Sequence, residues 1–172
     1  MPATVFIGLG SNLQDPVQQV LSAVEALKTL DHTHVDAISR LYETSPMGPQ
    51  DQPNYINAVA KINTKLQPYD LLEKLHGIEA AHDRTRDTGR WGARTLDLDI
   101  LLYADLVLTE PKLTLPHSGL HERAFVLYPL ADIDDSLIIP TLGTVQQLIQ
   151  QSGEPEPSII EGKNLEIHPS VC

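Results

Sequence analysis

The first hundred residues switch repeatedly between strand-like and helix-like hydrophobic patterns. Val5, Ile7 and Leu9 repeat at every second position, as in a strand with one buried face. From Val17 to Leu27, apolar residues instead recur every three or four positions, as on the buried side of a helix. These two kinds of pattern predict strands over 4–10, 35–44, 55–63 and 96–103, and helices over 16–30 and 68–82.

The order of these elements, β-α-β-β-α-β, predicts the fold. It is typical of a ferredoxin-like α+β sandwich, in which both helices cover one face of an antiparallel sheet. Successive residues of a strand point to opposite sides, so the side chains can be sorted into two faces. We expect the helices to cover the apolar positions 56, 58, 60, 62, 96, 98, 100 and 102. We expect the other face to be open and to carry Tyr55, Asn57, Asp97 and Asp99.

The last third of the chain predicts smaller elements. An edge hairpin is expected within 107–114, and short helices are expected near 121–124, 126–134 and 144–150. From Ser152 onward the segment Gly-Glu-Pro-Glu-Pro, followed by few large apolar residues, predicts a loosely held tail. We interpret residues 1–172 as one domain.

Composition and charge narrow the class of protein. The chain has 172 residues, of which 41% are hydrophobic and 20% charged, as in an ordinary globular domain. Its single cysteine, Cys172, allows no disulfide framework, and no signal-peptide or membrane-span pattern occurs. We therefore expect a cytoplasmic protein, and a monomer. The net charge of −11 predicts that the protein avoids nucleic acid and anionic membranes.

The arginines depart from this acidic background, since four of the six fall within residues 84–94. A local cationic cluster on an acidic protein favours a small anionic ligand. A solvated loop that carries arginines by chance is the alternative interpretation.

The two carboxylates that follow this cluster suggest a metal. Asp97 and Asp99 lie two apart in a predicted strand, which places their Cα atoms about 6.5–7 Å apart on one face. Such carboxylates repel each other unless a cation lies between them, and oxygen ligands beside phosphates suit magnesium. Magnesium with several arginines is typical of phosphoryl transfer. The motifs of P-loop enzymes and protein kinases do not occur. A solvent-facing strand with two acids remains the alternative.

A proline-rich loop at 45–54 predicts a second ligand. Such a loop is rigid, so its backbone can meet a flat heterocycle at low entropic cost. The amide of Asn57 offers a donor and an acceptor to a pterin or purine edge, and Tyr55 and Phe125 are candidates to stack on the ring. Tyr55 is also explained as an aromatic residue that covers an open sheet.

Three further polar residues are candidates without a decisive pattern. His76 and Glu79 share one face of the second helix, and His117 follows a proline in a loop. Each is a possible contact for a ligand, but without further context a structural role is the favoured explanation for each.

Taken together, the motifs resemble those of the 6-hydroxymethyl-7,8-dihydropterin pyrophosphokinase family, over about residues 3–150. The matching segments are Gly-Leu-Gly-Ser-Asn-Leu at 8–13, Tyr-Glu-Thr-Ser-Pro-Met-Gly-Pro-Gln-Asp-Gln-Pro at 42–53, Tyr-Ile-Asn at 55–57, Arg-Trp-Gly at 90–92, Arg-Thr-Leu-Asp-Leu-Asp-Ile at 94–100 and Leu-Pro-His at 115–117.

This resemblance implies transfer of diphosphate from ATP to the hydroxyl of the pterin, with release of AMP, in folate biosynthesis. It implies that Asp97 and Asp99 bind two magnesium ions and that Arg84 and Arg94 contact the transition state. The implied pterin-binding residues are Thr44, Pro46, Tyr55, Asn57, Trp91 and Phe125. The implied ATP-binding residues are His76, Glu79, Arg86, Arg90, Arg94, Ile100, Lys112, Thr114, His117 and Arg123. Arg86, Arg90 and Trp91 fall in a loop that closes over the substrates in the family.

Two rival functions are carried forward. A metal-dependent phosphohydrolase with the same Asp-x-Asp pair would hydrolyse ATP without a pterin. A non-catalytic module that binds pterin or purine would show no magnesium-dependent turnover.

Overall fold

A computed structural model describes residues 2–12, 15–44, 54–83 and 96–160, apart from the side chain of Asp83. The larger elements are β1 (Ala3–Ser11), α1 (Pro16–Lys28), β2 (Thr33–Ile38), β3 (Tyr42–Thr44), β4 (Tyr55–Thr64), α2 (Pro68–Asp83), β5 (Asp97–Tyr103), α3 (Ala124–Ile133) and α4 (Val145–Ser152). The smaller ones are β6 (Leu108–Thr109), β7 (Thr114–Leu115), a 3-10 turn (Leu120–Glu122), β8 (Ile138–Ile139), β9 (Gly143–Thr144) and β10 (Ser158–Ile159).

Both helices predicted in the first half of the chain are confirmed. In α1 the capping residues and the hydrophobic repeat explain why the sequence predicts a helix. Asp15 caps it by accepting a hydrogen bond from the Gln18 amide, and proline occupies its first turn. Its buried side bears the apolar residues that repeat at helical spacing: Val20, Ala23, Val24 and Leu27.

The main sheet is antiparallel, which confirms the α+β class. Its strands are ordered β10-β3-β4-β1-β5, and β2 pairs with the far half of β4. The predicted strand 35–44 is therefore two strands, β2 and β3, which pair with different halves of β4. The break is at Ser39, whose hydroxyl accepts a hydrogen bond from the Val59 amide at 2.9 Å. A side chain here replaces a backbone acceptor of the ladder, and the strand is interrupted over residues 39–41.

The two faces of the sheet are covered by different helices. The first face packs under α1 and α2 and includes the predicted apolar positions 56, 58, 60, 62, 96, 98 and 100. On the second face, Phe6, Val59, Leu101 and Leu102 pack against α3 and α4.

Two expectations about the faces need correction. The second face is only partly open, because α3 and α4 cover one half of it. Leu102 was expected under α1 and α2, but it lies in the second cluster. The register between β1 and β5 shifts between Phe6 and Ile7, and the irregularity moves Leu102 to the opposite face.

The C-terminal elements agree with the sequence in part. Helices were predicted near 126–134 and 144–150, and α3 and α4 are found there, whereas residues 120–122 form only a 3-10 turn. Residues 153–160 were predicted to belong to a loose tail, yet β10 pairs with β3 along the sheet edge. None of the helices in the described ranges is long and apolar enough to cross a membrane.

Candidate active site

The uncovered half of the second face is a cleft whose floor is made by glycine. In the sheet register, Gly10 of β1 lies between Asn57 of β4 and Asp97 of β5. Gly8 likewise lies beside Asp99. Neighbouring strands are about 4.8 Å apart, so β4 and β5 flank this floor at a separation of about 10 Å. The two glycines therefore leave room for a ligand between the amide and the carboxylates.

The cleft has a volume of about 840 Å³ and brings together residues from five strands and one helix as well as several loops. Eight of the residues predicted to form the site line it: Thr44, Tyr55, Asn57, Asp97, Asp99, His117, Arg123 and Phe125.

Asn57 is fixed in position by its neighbours. Its side-chain nitrogen donates to the Thr44 hydroxyl oxygen at 3.2 Å, and the residue is only 8% exposed. A Cβ atom added to Gly10 would lie 2.9 Å from the Asn57 Oδ1 atom, so that oxygen lies directly over the glycine. The amide is thus preorganised at the wall of the cleft.

Phe125 and Arg123 form a further part of the wall, at the start of α3. The Arg123 guanidinium lies over the Phe125 ring, 5.8 Å from its centre, and also packs against Gly119. Both residues line the cleft. An aromatic surface beside a cation offers stacking for a flat ring and charge for an anion.

The carboxylate pair occupies the edge of the cleft, as strand periodicity predicts. Asp97 and Asp99 both line it, while the intervening Leu98 is buried in the core. The backbone N–H of Leu98 donates to the Glu79 carboxylate at 2.7 Å, which ties this part of β5 to α2. Burial raises the pKa of Glu79, and the nearby charges of Asp97 and Asp99 add to the rise.

These donors fit a magnesium ion. Within the described ranges, no group of three His, Cys, Asp or Glu side chains is arranged to hold a metal. Magnesium does not need one, because it is commonly held by one or two carboxylates together with substrate phosphates and water. The side chain of Asp99 is 55% exposed and so has room for such partners.

His117 is oriented toward Asp99. Its backbone N–H donates to the Leu101 carbonyl at 3.0 Å, and its Nδ1 atom accepts from the Gly119 N–H at 3.2 Å. In the neutral ring the proton therefore lies on Nε2. That atom is 3.9 Å from Asp99 Oδ1 and faces the cleft, where it can donate to a phosphate.

The remaining predicted residues in the described ranges do not line the cleft. His76 is exposed on α2, and Lys112 and Thr114 lie at the β6–β7 hairpin. Ile100 is 2% exposed, with its side chain in the core, so a ligand would meet it only through its backbone. Six predicted site residues lie outside the described residues: Pro46, Arg84, Arg86, Arg90, Trp91 and Arg94.

Two parts of the cleft were missed by sequence reasoning. Gly8 and Gly10 belong to a recognised motif, but their place in the floor depends on the strand register. The segment Glu154–Ser158, which also lines the cleft, was assigned to the tail. Its signal was the pair Ser158–Ile159 in an otherwise polar stretch, which is too short to predict a strand.

Comparison with known proteins identifies the family. The family model "7,8-dihydro-6-hydroxymethylpterin-pyrophosphokinase" matches residues 6–135. The 2-amino-4-hydroxy-6-hydroxymethyldihydropteridine pyrophosphokinase of Haemophilus influenzae is 47% identical over 86% of this chain and 92% of its own length. The enzyme of the same name from Pseudomonas aeruginosa is 48% identical over 79% of this chain and 83% of its own length.

The fold also has counterparts among solved structures. A crystal structure of Plasmodium falciparum HPPK-DHPS superimposes with a TM-score of 0.72, covering 88% of this chain and 45% of that chain at 14% identity. That identity supports the fold alone. The matching family model and the close relatives show that the chain belongs to the 7,8-dihydro-6-hydroxymethylpterin-pyrophosphokinase family.

Proposed function

We propose that the cleft transfers diphosphate from ATP to the hydroxymethyl group of 6-hydroxymethyl-7,8-dihydropterin, releasing AMP, as a step of folate biosynthesis. The observation that carries this proposal is the register around Gly10. It separates a polar amide, suited to a heterocycle, from a carboxylate pair, suited to metal-bound phosphates. Family membership supports the same activity.

The pterin is assigned to the β4 side. Asn57 and Thr44 offer donors and acceptors to the edge of the ring, and Tyr55 and Phe125 offer stacking surfaces. Pro46 and Trp91 are also assigned to pterin binding, because of the resemblance of their motifs to those of the family.

The nucleotide phosphates are assigned to the β5 side. His117 lines the cleft beside Asp99 and supplies a donor, and Arg123, at the start of α3, supplies a positive charge. His76, Glu79, Ile100, Lys112 and Thr114, with Arg86 and Arg90, are assigned to the nucleotide side by resemblance. Glu79 has a further role on geometric grounds, since it accepts the Leu98 N–H and steadies the strand between the two aspartates.

Asp97 and Asp99 would hold two magnesium ions. When bound, these ions neutralise the phosphates and stabilise the charge of the transition state. Arg84 and Arg94 are assigned to stabilise the same transition-state charge, as arginines do in phosphoryl-transfer sites.

In the proposed step the pterin hydroxyl oxygen attacks the β-phosphorus of ATP in line. A bond forms between these atoms, and the bond from the β-phosphorus to the oxygen bridging it to the α-phosphorus breaks. AMP leaves with that oxygen, and the hydroxyl proton is released. The chain contributes mainly by holding the two reactants across the glycine floor in the correct orientation.

The test is one assay of the full chain with ATP and the pterin, with and without magnesium. We expect stoichiometric AMP and pterin diphosphate, and no product when EDTA removes the metal. Release of ADP or inorganic phosphate without use of the pterin would indicate a phosphohydrolase instead. Binding of both ligands without turnover would indicate a non-catalytic module.

Replacing Gly10 by alanine tests the floor. The added methyl group would push the Asn57 amide out of place, because it would approach Oδ1 to 2.9 Å. An off-rotamer side chain costs about 0.5–1.5 kcal/mol, so pterin affinity should fall roughly twofold to tenfold. Titration calorimetry should show unchanged affinity for a non-hydrolysable ATP analogue.

Gly77→Ala is the matched control, since a methyl group there meets no atom within 4 Å. It should leave pterin affinity unchanged. If Gly10→Ala bound the pterin as tightly as the wild-type protein, the assignment of the ring edge to Asn57 would be wrong.

We also infer that the βαββαβ core is ferredoxin-like, supported by the strand order β2-β4-β1-β5 and by α1 and α2 sharing one core cluster. A single domain, a monomeric state and a cytoplasmic location remain proposals. The net charge of −11 supports small-molecule substrates rather than nucleic acid or membrane as partners.

A further inference from the structure

Residues 154–158 form a wall of the cleft that lies beyond the part of the chain matched by the family model. Gly153 has φ +69° at the end of α4, a left-handed conformation that turns the chain toward the cleft. The segment then runs past the cleft and ends in β10, where Ser158 pairs with Glu43 and Ile159 with Tyr42. The Ile160 amide adds a bond to the Leu41 carbonyl at 2.9 Å. The wall is thus fixed to the edge of the sheet.

The same segment caps α3. The Glu154 carboxylate accepts a hydrogen bond from the Ala124 N–H at 2.8 Å, although 30 positions separate the two residues. Arg123, at the N-cap position, makes no side-chain capping bond, and the first turn of α3 has no acidic residue. A carboxylate is the favourable partner for this end of a helix, because it satisfies an N–H group and complements the helix dipole.

The capped turn carries two residues of the cleft, Arg123 immediately before Ala124 and Phe125 immediately after it. The other end of α3 is also fixed, since Asp132 accepts hydrogen bonds from Arg40 and from the Tyr42 hydroxyl. Glu154 therefore holds the end of α3 that carries Phe125.

We infer that Glu154 is a positioning residue for pterin binding: it holds the first turn of α3 so that Phe125 stacks on the ring. This inference rests on the proposed function, since it takes the pterin as the ligand beside Phe125. Glu154 acts through the helix, and its main effect should be on the pterin, since Arg123 is the one residue assigned to the nucleotide side that lies at the capped turn.

The test compares Glu154→Ala and Glu154→Gln in the full chain. Loss of a helix cap corresponds to roughly a threefold to thirtyfold effect, which should be seen as a higher Kd for 6-hydroxymethyl-7,8-dihydropterin in Glu154→Ala. The Kd of a non-hydrolysable ATP analogue should rise less, because Arg123 is the one residue assigned to the nucleotide side that lies at the capped turn. Glu154→Gln should recover most of the loss, because its Oε1 atom still accepts a hydrogen bond.

Thr144→Ala is the stability control. It removes the capping box of α4, which consists of Thr144 and Gln147, but neither residue lines the cleft. It should lower thermal stability comparably without changing the pterin Kd. A similar rise in that Kd in Thr144→Ala would overturn the inference, as would an unchanged Kd in Glu154→Ala.

Amide hydrogen exchange distinguishes this inference from the proposed function. Exchange at the Ala124 amide should be faster in Glu154→Ala than in the wild-type protein, with no ligand present. If the wild-type protein bound no pterin, both the proposed function and the role of Glu154 in pterin binding would be refuted, whatever the rate of hydrogen exchange at Ala124. If the wild-type protein bound pterin but Ala124 exchanged equally fast in both, only the positioning role would fall. Should Glu154→Ala not fold, Glu154→Asp replaces it, since its shorter side chain does not reach the amide.

Discussion

Replacing either Asp97 or Asp99 by alanine should reduce AMP formation to near background. Each variant loses one of two carboxylates that project from β5 into the cleft. Removing a metal ligand removes several kcal/mol of transition-state stabilisation, which corresponds to a loss of about 10³-fold or more in turnover. The measurement is the initial rate of AMP production at saturating ATP, pterin and magnesium.

Both variants should still fold, above all Asp99→Ala. The Asp99 side chain is 55% exposed, and the Nε2 atom of its neighbour His117 is 3.9 Å away, so little packing is lost. Asp105→Ala is a suitable control, because it removes an exposed carboxylate from the turn after β5 and should keep full activity. A folded Asp99→Ala protein with normal turnover would contradict the metal assignment.

The secondary structure of the core was predictable because its elements carry clear periodicity. β1 and β4 each have one face buried under α1 and α2, so their apolar residues alternate. The prediction failed where tertiary contacts override the local pattern. One predicted strand is interrupted at Ser39, whose side chain bonds to Val59, and the irregularity near Phe6 transfers Leu102 to the other face.

The candidate site was predictable only where neighbours in sequence are also neighbours in space. Asp97 and Asp99 lie two apart in one strand, so their common face follows from the strand period alone. The contact between Gly10 and Asn57 depends on the pairing of β1 with β4, which no local pattern reveals. The bond from Ala124 to Glu154 joins residues 30 positions apart and is invisible for the same reason.

Asn57 provides the second large effect. In Asn57→Ala, the pterin edge should lose its amide partner inside a cleft where the wild-type residue is only 8% exposed. A polar group left without a partner on burial costs about 1–3 kcal/mol, so the Kd for the pterin should rise about fivefold to more than a hundredfold. The Kd of the ATP analogue should hardly change, because the phosphates are assigned to β5 on the far side of the glycine floor.

Two comparisons make this prediction specific. Thr44 loses the hydrogen bond from Asn57 in the variant, so Thr44→Ala should produce a smaller pterin defect of the same kind. In the double variant Gly10→Ala/Asn57→Ala the two effects should not add, because the methyl group harms pterin binding only by displacing the amide. Full additivity would show that Gly10 and Asn57 act independently. Equal losses of affinity for pterin and nucleotide would show instead that Asn57 supports the sheet rather than recognising the ring.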